Sequence, residues 1–305
     1  MAEEKDLKTI LKKIHFTDDA QVMKQLVDQS LQVKIRMGQI RRKIVVMSGK
    51  GGVGKSMTTA NLALAFARQG HRVGVLDVDL NGPCIPKMLG VQGRFEISPD
   101  GAIPPTGPYG MKIASMDFFL RQEDSPVRWK GPMELSPVWL GLMEMNVIRE
   151  FLADIVWGEI DYLFTDLPPG AAADKPPVIA GFIPELDGAV VVATPSEVAK
   201  TVVRKSIVYA RDVGIRVIGL VENMSGSLCP KCGTEVSFYE GGCEDLCAEL
   251  DVPLLGKIPF DRELGAASDH GKQLPLEHPI SKMYDEMAKR IQEHLDFKKI
   301  LAERL

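Results

Sequence analysis

The chain has 305 residues, 45% of them hydrophobic and 26% charged, with a formal net charge of −4. That is an ordinary balance for a globular fold with a large buried core. It argues against a broad nucleic-acid surface, which needs a basic excess, and no apolar run approaches the roughly 20 residues of a membrane helix. Met1-Ala2-Glu3-Glu4-Lys5 lacks the charged-then-apolar layout of a signal peptide. The expectation is a cytoplasmic protein that contacts neither nucleic acid nor membrane.

Residues 1–40 read as a helical arm. Leu7, Ile10, Leu11 and Ile14, then Met23, Leu26, Val27 and Leu31, recur at helical spacing. The arm either packs on the rest or binds a partner, and packing is the plainer role. A strand pattern follows at Lys43–Met47, then a Gly-rich loop, a helix pattern from Ala60 to Ala67, and a second strand ending at Asp77. Further strand-like runs lie at Met111–Ser115, Asp161–Asp166, Gly188–Thr194, Ile215–Val221 and Pro253–Pro259, with helical stretches near 136–154, 196–213 and 279–303. Several runs are nearly continuous in Val and Ile, as strands buried on both faces of a parallel sheet are. The alternation predicts an α/β fold: a doubly wound, mostly parallel sheet flanked by helices, over residues 41–305. Gln92–Pro108, rich in Pro and Gly, predicts a loop or short hairpin. Ser225–Gly242 predicts a Cys-containing excursion between sheet and helix.

Gly49-Lys50-Gly51-Gly52-Val53-Gly54-Lys55-Ser56 fits G-x-x-x-x-G-K-[ST] at every fixed position, with a strand before it and a helix after it. Glycines let several backbone N–H groups turn inward, and the helix N-terminus adds partial positive charge, so the loop cradles phosphate. Lys55 reaches the β- and γ-phosphates of ATP, and the Ser56 hydroxyl binds magnesium. Such a loop needs a carboxylate at a strand end for the metal and a group that positions the attacking water. Asp166 ends its strand just before Leu167-Pro168-Pro169-Gly170. Asp77 and Asp79 end the second strand, and their alternation puts both on one side if the extended backbone persists.

Of five cysteines, Cys229, Cys232, Cys243 and Cys247 cluster. Thiolates are soft ligands suited to iron–sulfur clusters and to zinc. Cys229-x-x-Cys232 lets two thiolates reach one centre, but two cannot complete a four-thiolate site. Either a second subunit supplies two more, or Cys243 and Cys247 do, which would make a closed zinc knuckle. Cys243 and Cys247 share a helix face and serve equally well in helix packing. Cys84 reads as a small buried hydrophobe, and Trp129, Trp139 and Trp157 as core or interface anchors. The five histidines lack ligand spacing.

Lys50-Gly51-Gly52-Val53-Gly54-Lys55-Ser56 resembles the deviant Walker A motif of the MinD/ParA-type (SIMIBI-class) ATPases. Asp77-Val78-Asp79 resembles their first switch. Adding Asp166-Leu167-Pro168-Pro169-Gly170, Val221-Glu222-Asn223-Met224 and Cys229-Pro230-Lys231-Cys232-Gly233, the stretch from Lys43 to Arg290 is similar to the Mrp/ApbC branch, the ATP-binding iron–sulfur cluster carriers. The resemblance implies an ATP hydrolase that acts as a homodimer. It implies catalytic roles for Lys50, Lys55, Asp79 and Asp166: Lys50 as the signature lysine reaching phosphate, across the subunit interface in related dimers, Asp79 positioning water, and Asp166 as the Walker B acid. Nucleotide would be held by Ser48, Gly49, Lys50, Gly51, Gly52, Val53, Gly54, Lys55, Ser56 and Met57, with Asn223 against adenine. Magnesium would sit on Ser56 and Asp166. Cys229 and Cys232 from each subunit would jointly hold a [4Fe–4S] cluster that is passed to apo iron–sulfur proteins. Ala171-Ala172-Ala173-Asp174 departs from the Thr-Gly-Asp of relatives by placing the acid one residue later, which implies slow hydrolysis. The other classes that share the phosphate loop are a nickel-inserting ATPase and a MinD/ParA-type positioning ATPase with a structural zinc site.

Overall fold

Residues 19–80, 82–119, 137–170, 175–229, 231–232 and 234–302 are described by a computed structural model of the chain. The Val- and Ile-rich runs form strands β1 (Ile40–Ser48), β2 (Val73–Asp77), β5 (Lys112–Ser115), β6 (Ile160–Asp166), β7 (Gly188–Ala193), β8 (Val217–Leu228) and β10 (Leu254–Phe260). These seven are parallel and lie in the order β10-β8-β7-β1-β6-β2-β5. After β1 the chain builds outward through β2 and β5, returns to β6 beside β1, then crosses to β7. Strand order reverses at β1, and a ligand crevice opens at such a point beyond the strands' C-terminal ends.

Both faces of the sheet are buried, which is why the strands read as continuous apolar runs. Along β1, Val45 and Met47 join one core cluster while Ile44 and Val46 join the other. The first face is covered by α1 (Asp19–Gly38), α4 (Pro137–Asp154), α5 (Lys175–Ala180), α6 (Glu197–Asp212) and α7 (Glu244–Glu249). The second is covered by α2 (Lys55–Arg68), α3 (Ile85–Leu89), α8 (Arg262–Asp269) and α9 (Pro279–Ala302). Local chemistry sets several boundaries. The Ser196 hydroxyl accepts from Ala199 N to start α6, and the Asp261 carboxylate accepts from Leu264 N to start α8. No helix among the described residues is long and apolar enough to cross a membrane.

The structure departs from the sequence reading in two places. Leu7, Ile10, Leu11 and Ile14 lie outside the described residues, as do the side chains of Met23 and Leu26. Within α1 the core-facing residues are Val33 and Met37, while Val27 and Leu31 are 60% and 54% exposed. Of the predicted apolar residues of α1 whose side chains are described, Val27 and Leu31 therefore do not face the core. The second departure is in β8. The strand expected to end at Val221 runs on to Leu228 and turns back into β9 (Glu235–Val236), which pairs with it antiparallel. The excursion expected over 225–242 is therefore a hairpin grown out of the sheet. Gln92–Pro108 contains the expected hairpin, β3 (Glu96–Ser98) with β4 (Gly101–Ile103). Trp157 is a buried core residue; Trp129 and the side chain of Trp139 lie outside the described residues.

Candidate functional site

The phosphate loop leaves the end of β1, and α2 starts at Lys55. Gly52 and Gly54 have φ of 77° and 82°, a region that glycine enters at little cost. At Gly54 a side chain is excluded twice over. A Cβ there would come 2.1 Å from Asn223 Nδ2, and that amide donates to the Val53 carbonyl at 2.8 Å. Asn223 of β8 thus closes one wall of the loop. The Ser48 hydroxyl donates to the Lys50 carbonyl at 3.0 Å, while Lys50 itself is exposed.

Asp166 is fully buried at the end of β6, level with Val46 of β1 on one side and Asp77 of β2 on the other. Its Oδ2 accepts from Lys55 Nζ at 2.7 Å and from the Ser56 hydroxyl at 2.5 Å, and its Oδ1 accepts from the Thr59 hydroxyl at 2.7 Å. Lys55 is 6% exposed. The lysine of the loop therefore rests on the buried acid at the end of β6.

Asp77 is equally enclosed. Its carboxylate accepts from the backbone N–H of Asp79, Cys84 and Ile85 and from the Ser115 hydroxyl, at 3.1–3.3 Å. Burial, and then the charge of Asp166, push its carboxyl up to about 7, against the pull of Lys55 and the backbone donors. It ties down both ends of the loop that carries Asp79. Asp79 lies beyond the end of β2 and is half-buried, so the two acids do not share one strand face. The Cys84 thiol stands by the same cluster, where burial and Asp77 push it up to about 11.

Sequence reasoning missed Thr59 and Ser115. Thr59 follows Lys55 by one helical turn and so shares its face. Ser115 is level with Asp77 on the neighbouring strand. Both signals exist in the sequence once the helix and sheet register are known.

Cys229 and Cys232 sit at the tip of the β8–β9 hairpin, the first half-buried and the second exposed. Cys229 N donates to the Thr234 carbonyl at 2.9 Å. The Thr234 hydroxyl lies 3.2 Å from Cys232 Sγ. This hydroxyl, the Thr234 backbone and Cys229 hold the Cys232 thiol below its ordinary value, which favours the thiolate that binds metal. Pro230 and Gly233 are outside the described residues. Val236 and Phe260, which both pair with Ser227 of β8, are exposed, as is Phe238.

Cys243 and Cys247 face the other way. They do share a helix face, but that face enters the core beside Leu246 and Val252. Burial pushes their thiols up to about 12 and about 11. Among the described residues no group of three or more His, Cys, Asp or Glu side chains is disposed to hold a metal ion. This placement runs against Cys243 and Cys247 as ligands and against the four-cysteine zinc knuckle within one chain. The thiols of α7 are used for apolar packing.

A protein-family comparison matches residues 39–295 to the ParA family described as NUBPL iron-transfer P-loop NTPases. Two curated relatives carry the name iron-sulfur cluster carrier protein. One, from Saccharolobus solfataricus, is 43% identical over 266 residues, covering 87% of this chain and 86% of its own. The other, from Methanocaldococcus jannaschii, is 43% identical over 279 residues, covering 90% and 92%. Among solved structures, a nucleotide-binding protein from Archaeoglobus fulgidus in complex with ADP has a TM-score of 0.68 at 37% identity, covering 80% of this chain and 91% of its own. The cell-division ATPase MinD of Pyrococcus furiosus has a TM-score of 0.56 at 22% identity, covering 83% and 99%, a likeness of fold.

Proposed function

This chain belongs to the ParA family of iron-transfer P-loop NTPases, and from that membership we propose that it is an ATP-dependent carrier of iron–sulfur clusters. In this reading it holds a [4Fe–4S] cluster between two copies of itself in the cytoplasm and passes it to apo-proteins. The observation that carries it is the placement of Cys229 and Cys232. They form a thiol pair, one half-buried and one exposed with its thiol depressed, just beyond the end of a strand that also touches the phosphate loop. Two thiolates from each of two chains make the four that such a cluster takes.

The nucleotide site fits magnesium by its donor set. The Ser56 hydroxyl and the Asp166 carboxylate already meet at 2.5 Å, hard oxygen donors at the mouth of the loop. Bound magnesium would neutralise charge on the β- and γ-phosphates. Lys55 turns from Asp166 to the phosphates, the loop N–H groups of Gly51 to Ser56 bind phosphate oxygens, and Thr59 keeps Asp166 aimed. Asp79, carried by the loop that Asp77 ties down, positions the attacking water. Lys50, exposed at the loop, reaches phosphate from the second copy. Asn223 lines the nucleotide wall beside Gly54 and meets the adenine. Hydrolysis is slow and coupled to cluster loading or release.

The test is transfer. Protein loaded anaerobically is mixed with the apo form of a [4Fe–4S] hydro-lyase, whose returning activity reports loading, with and without Mg-ATP. Recovery that depends on Cys229 and Cys232 supports the reading. A loaded protein that never activates the acceptor, under conditions where free iron and sulfide do, overturns it.

A further inference from the structure

Strand β8 serves two sites. Asn223 donates to the phosphate loop at Val53 O, and six positions later Cys229 opens the thiol tip. Glu222, the residue before Asn223, is 1% exposed and works beyond the tip. Its Oε2 accepts from Cys243 N at 2.5 Å, and its Oε1 lies 3.6 Å from Lys257 Nζ, which also pairs with Glu244. The chain entering the thiol hairpin and the chain leaving it are therefore clasped together at Glu222, one residue from the contact with the nucleotide loop.

Immediately after this clasp the backbone is strained. Met224 has φ of +57°, and of the four non-glycine residues with positive φ among the described residues it alone lies within a β-strand. The sheet register breaks at the same place. Asn223 pairs with Ile258, but the next pair is Ser227 with Phe260, so β8 spends four steps where β10 spends two. Past the bulge Gly226 passes so near β9 that a Cβ would meet Val236 O at 2.8 Å. A non-glycine residue keeps a left-handed backbone only where its surroundings over-determine it. Bulges of this kind re-aim a strand. Here the strand is re-aimed towards the thiols.

We propose that Met224 is a positioning residue that couples the two sites: its strained bulge fixes the angle of the Cys229–Cys232 hairpin to the position of Asn223. A nucleotide that shifts Asn223 then re-orients the thiols. This deepens the carrier reading by naming how the nucleotide regulates the cluster site, and rests on it for its purpose. Its test needs no iron.

The experiment is alkylation of Cys229 and Cys232 in the apo-protein, followed by peptide mass spectrometry. It is run with and without Mg-ADP in dilute protein shown by sedimentation to be monomeric. In the wild type, nucleotide changes the rate by about fivefold, a typical coupling between sites. Met224→Gly, free to relax out of the strained φ, brings that ratio to about one while Kd for Mg-ADP stays within about twofold. Met224→Ala keeps the Cβ, and so the strain, and keeps the ratio. A Met224→Gly protein with the wild-type ratio overturns the proposal. So does a wild type whose thiol rate ignores bound nucleotide. Failure of iron loading would remove the carrier reading and leave this result standing.

Discussion

Lys55→Met isolates the electrostatic centre of the nucleotide site. Lys55 Nζ lies 2.7 Å from Asp166 Oδ2, with side-chain exposures of 6% and 0%. Asp77 is buried alongside and feels the charge of Asp166. The substitution keeps the volume and the stem but leaves two buried carboxylates facing each other without their cation. Removing one partner of a buried pair costs about 3–5 kcal/mol, or about 5–8 °C of melting temperature for a chain of this size. The loss is greatest at pH 8, above the value of about 7 to which Asp77 is raised, and shrinks towards pH 5.5 as Asp77 takes up its proton. Millimolar magnesium recovers part of it by supplying charge between Ser56 and Asp166. The double variant Lys55→Met/Asp166→Asn recovers most of it, since the repulsion between the two acids is gone and the remaining carboxylate, Asp77, keeps its backbone and Ser115 donors, yet binds no Mg-ATP. The assay is thermal unfolding in chelator and in magnesium at both pH values. A Lys55→Met protein that melts within about 2 °C of wild type at pH 8 in chelator would refute this account of the site.

Other outcomes follow from the same geometry. Gly54→Ala places a Cβ 2.1 Å from Asn223 Nδ2 at a φ of 82°; Mg-ADP affinity by calorimetry falls at least about tenfold, with about 1–2 kcal/mol of added backbone strain. Asp77 titrates near 3.8 unfolded but is raised to about 7 in the fold. The native state therefore holds a proton the unfolded chain has lost, so the contribution of Asp77 to stability is fully present below about pH 4, falls as pH rises to 7, and is flat above. The full span is on the order of 4 kcal/mol. Urea midpoints at pH 5 and pH 8, without nucleotide or magnesium, show this slope as the difference between wild type and Asp77→Asn. Cys243→Ala and Cys247→Ala each lose about 1–2 kcal/mol of stability as core truncations and leave the iron content of reconstituted protein unchanged.

What was legible in the sequence was what is contiguous. The phosphate loop lies in eight consecutive residues, and Asp166 and Asp77 are marked by strand ends, so their convergence follows from parallel register alone. Contacts between distant segments were less legible. Thr59 and Ser115 join the acids only once helix phase and strand order are fixed. The spacing of Cys243 and Cys247 put them on one face, but which way that face turned was decided by Leu246 and Val252 seating α7 in the core. The same holds for α1, where docking on α4 selected Val33 and Met37 over Val27 and Leu31. Met224 was illegible, because methionine carries no signal for a left-handed backbone. The nearby Gly226 was only a hint of close approach.

Anaerobic reconstitution with iron and sulfide tests the central claim most directly, with iron counted and the visible absorption recorded for wild type, Cys229→Ala and Cys232→Ala. The account predicts a broad charge-transfer band and about four irons per two chains in the wild type, with both lost in each variant. Wild-type protein that takes up no iron, or variants that keep it, would contradict the account and leave a nucleotide-binding P-loop protein whose exposed thiols serve something else.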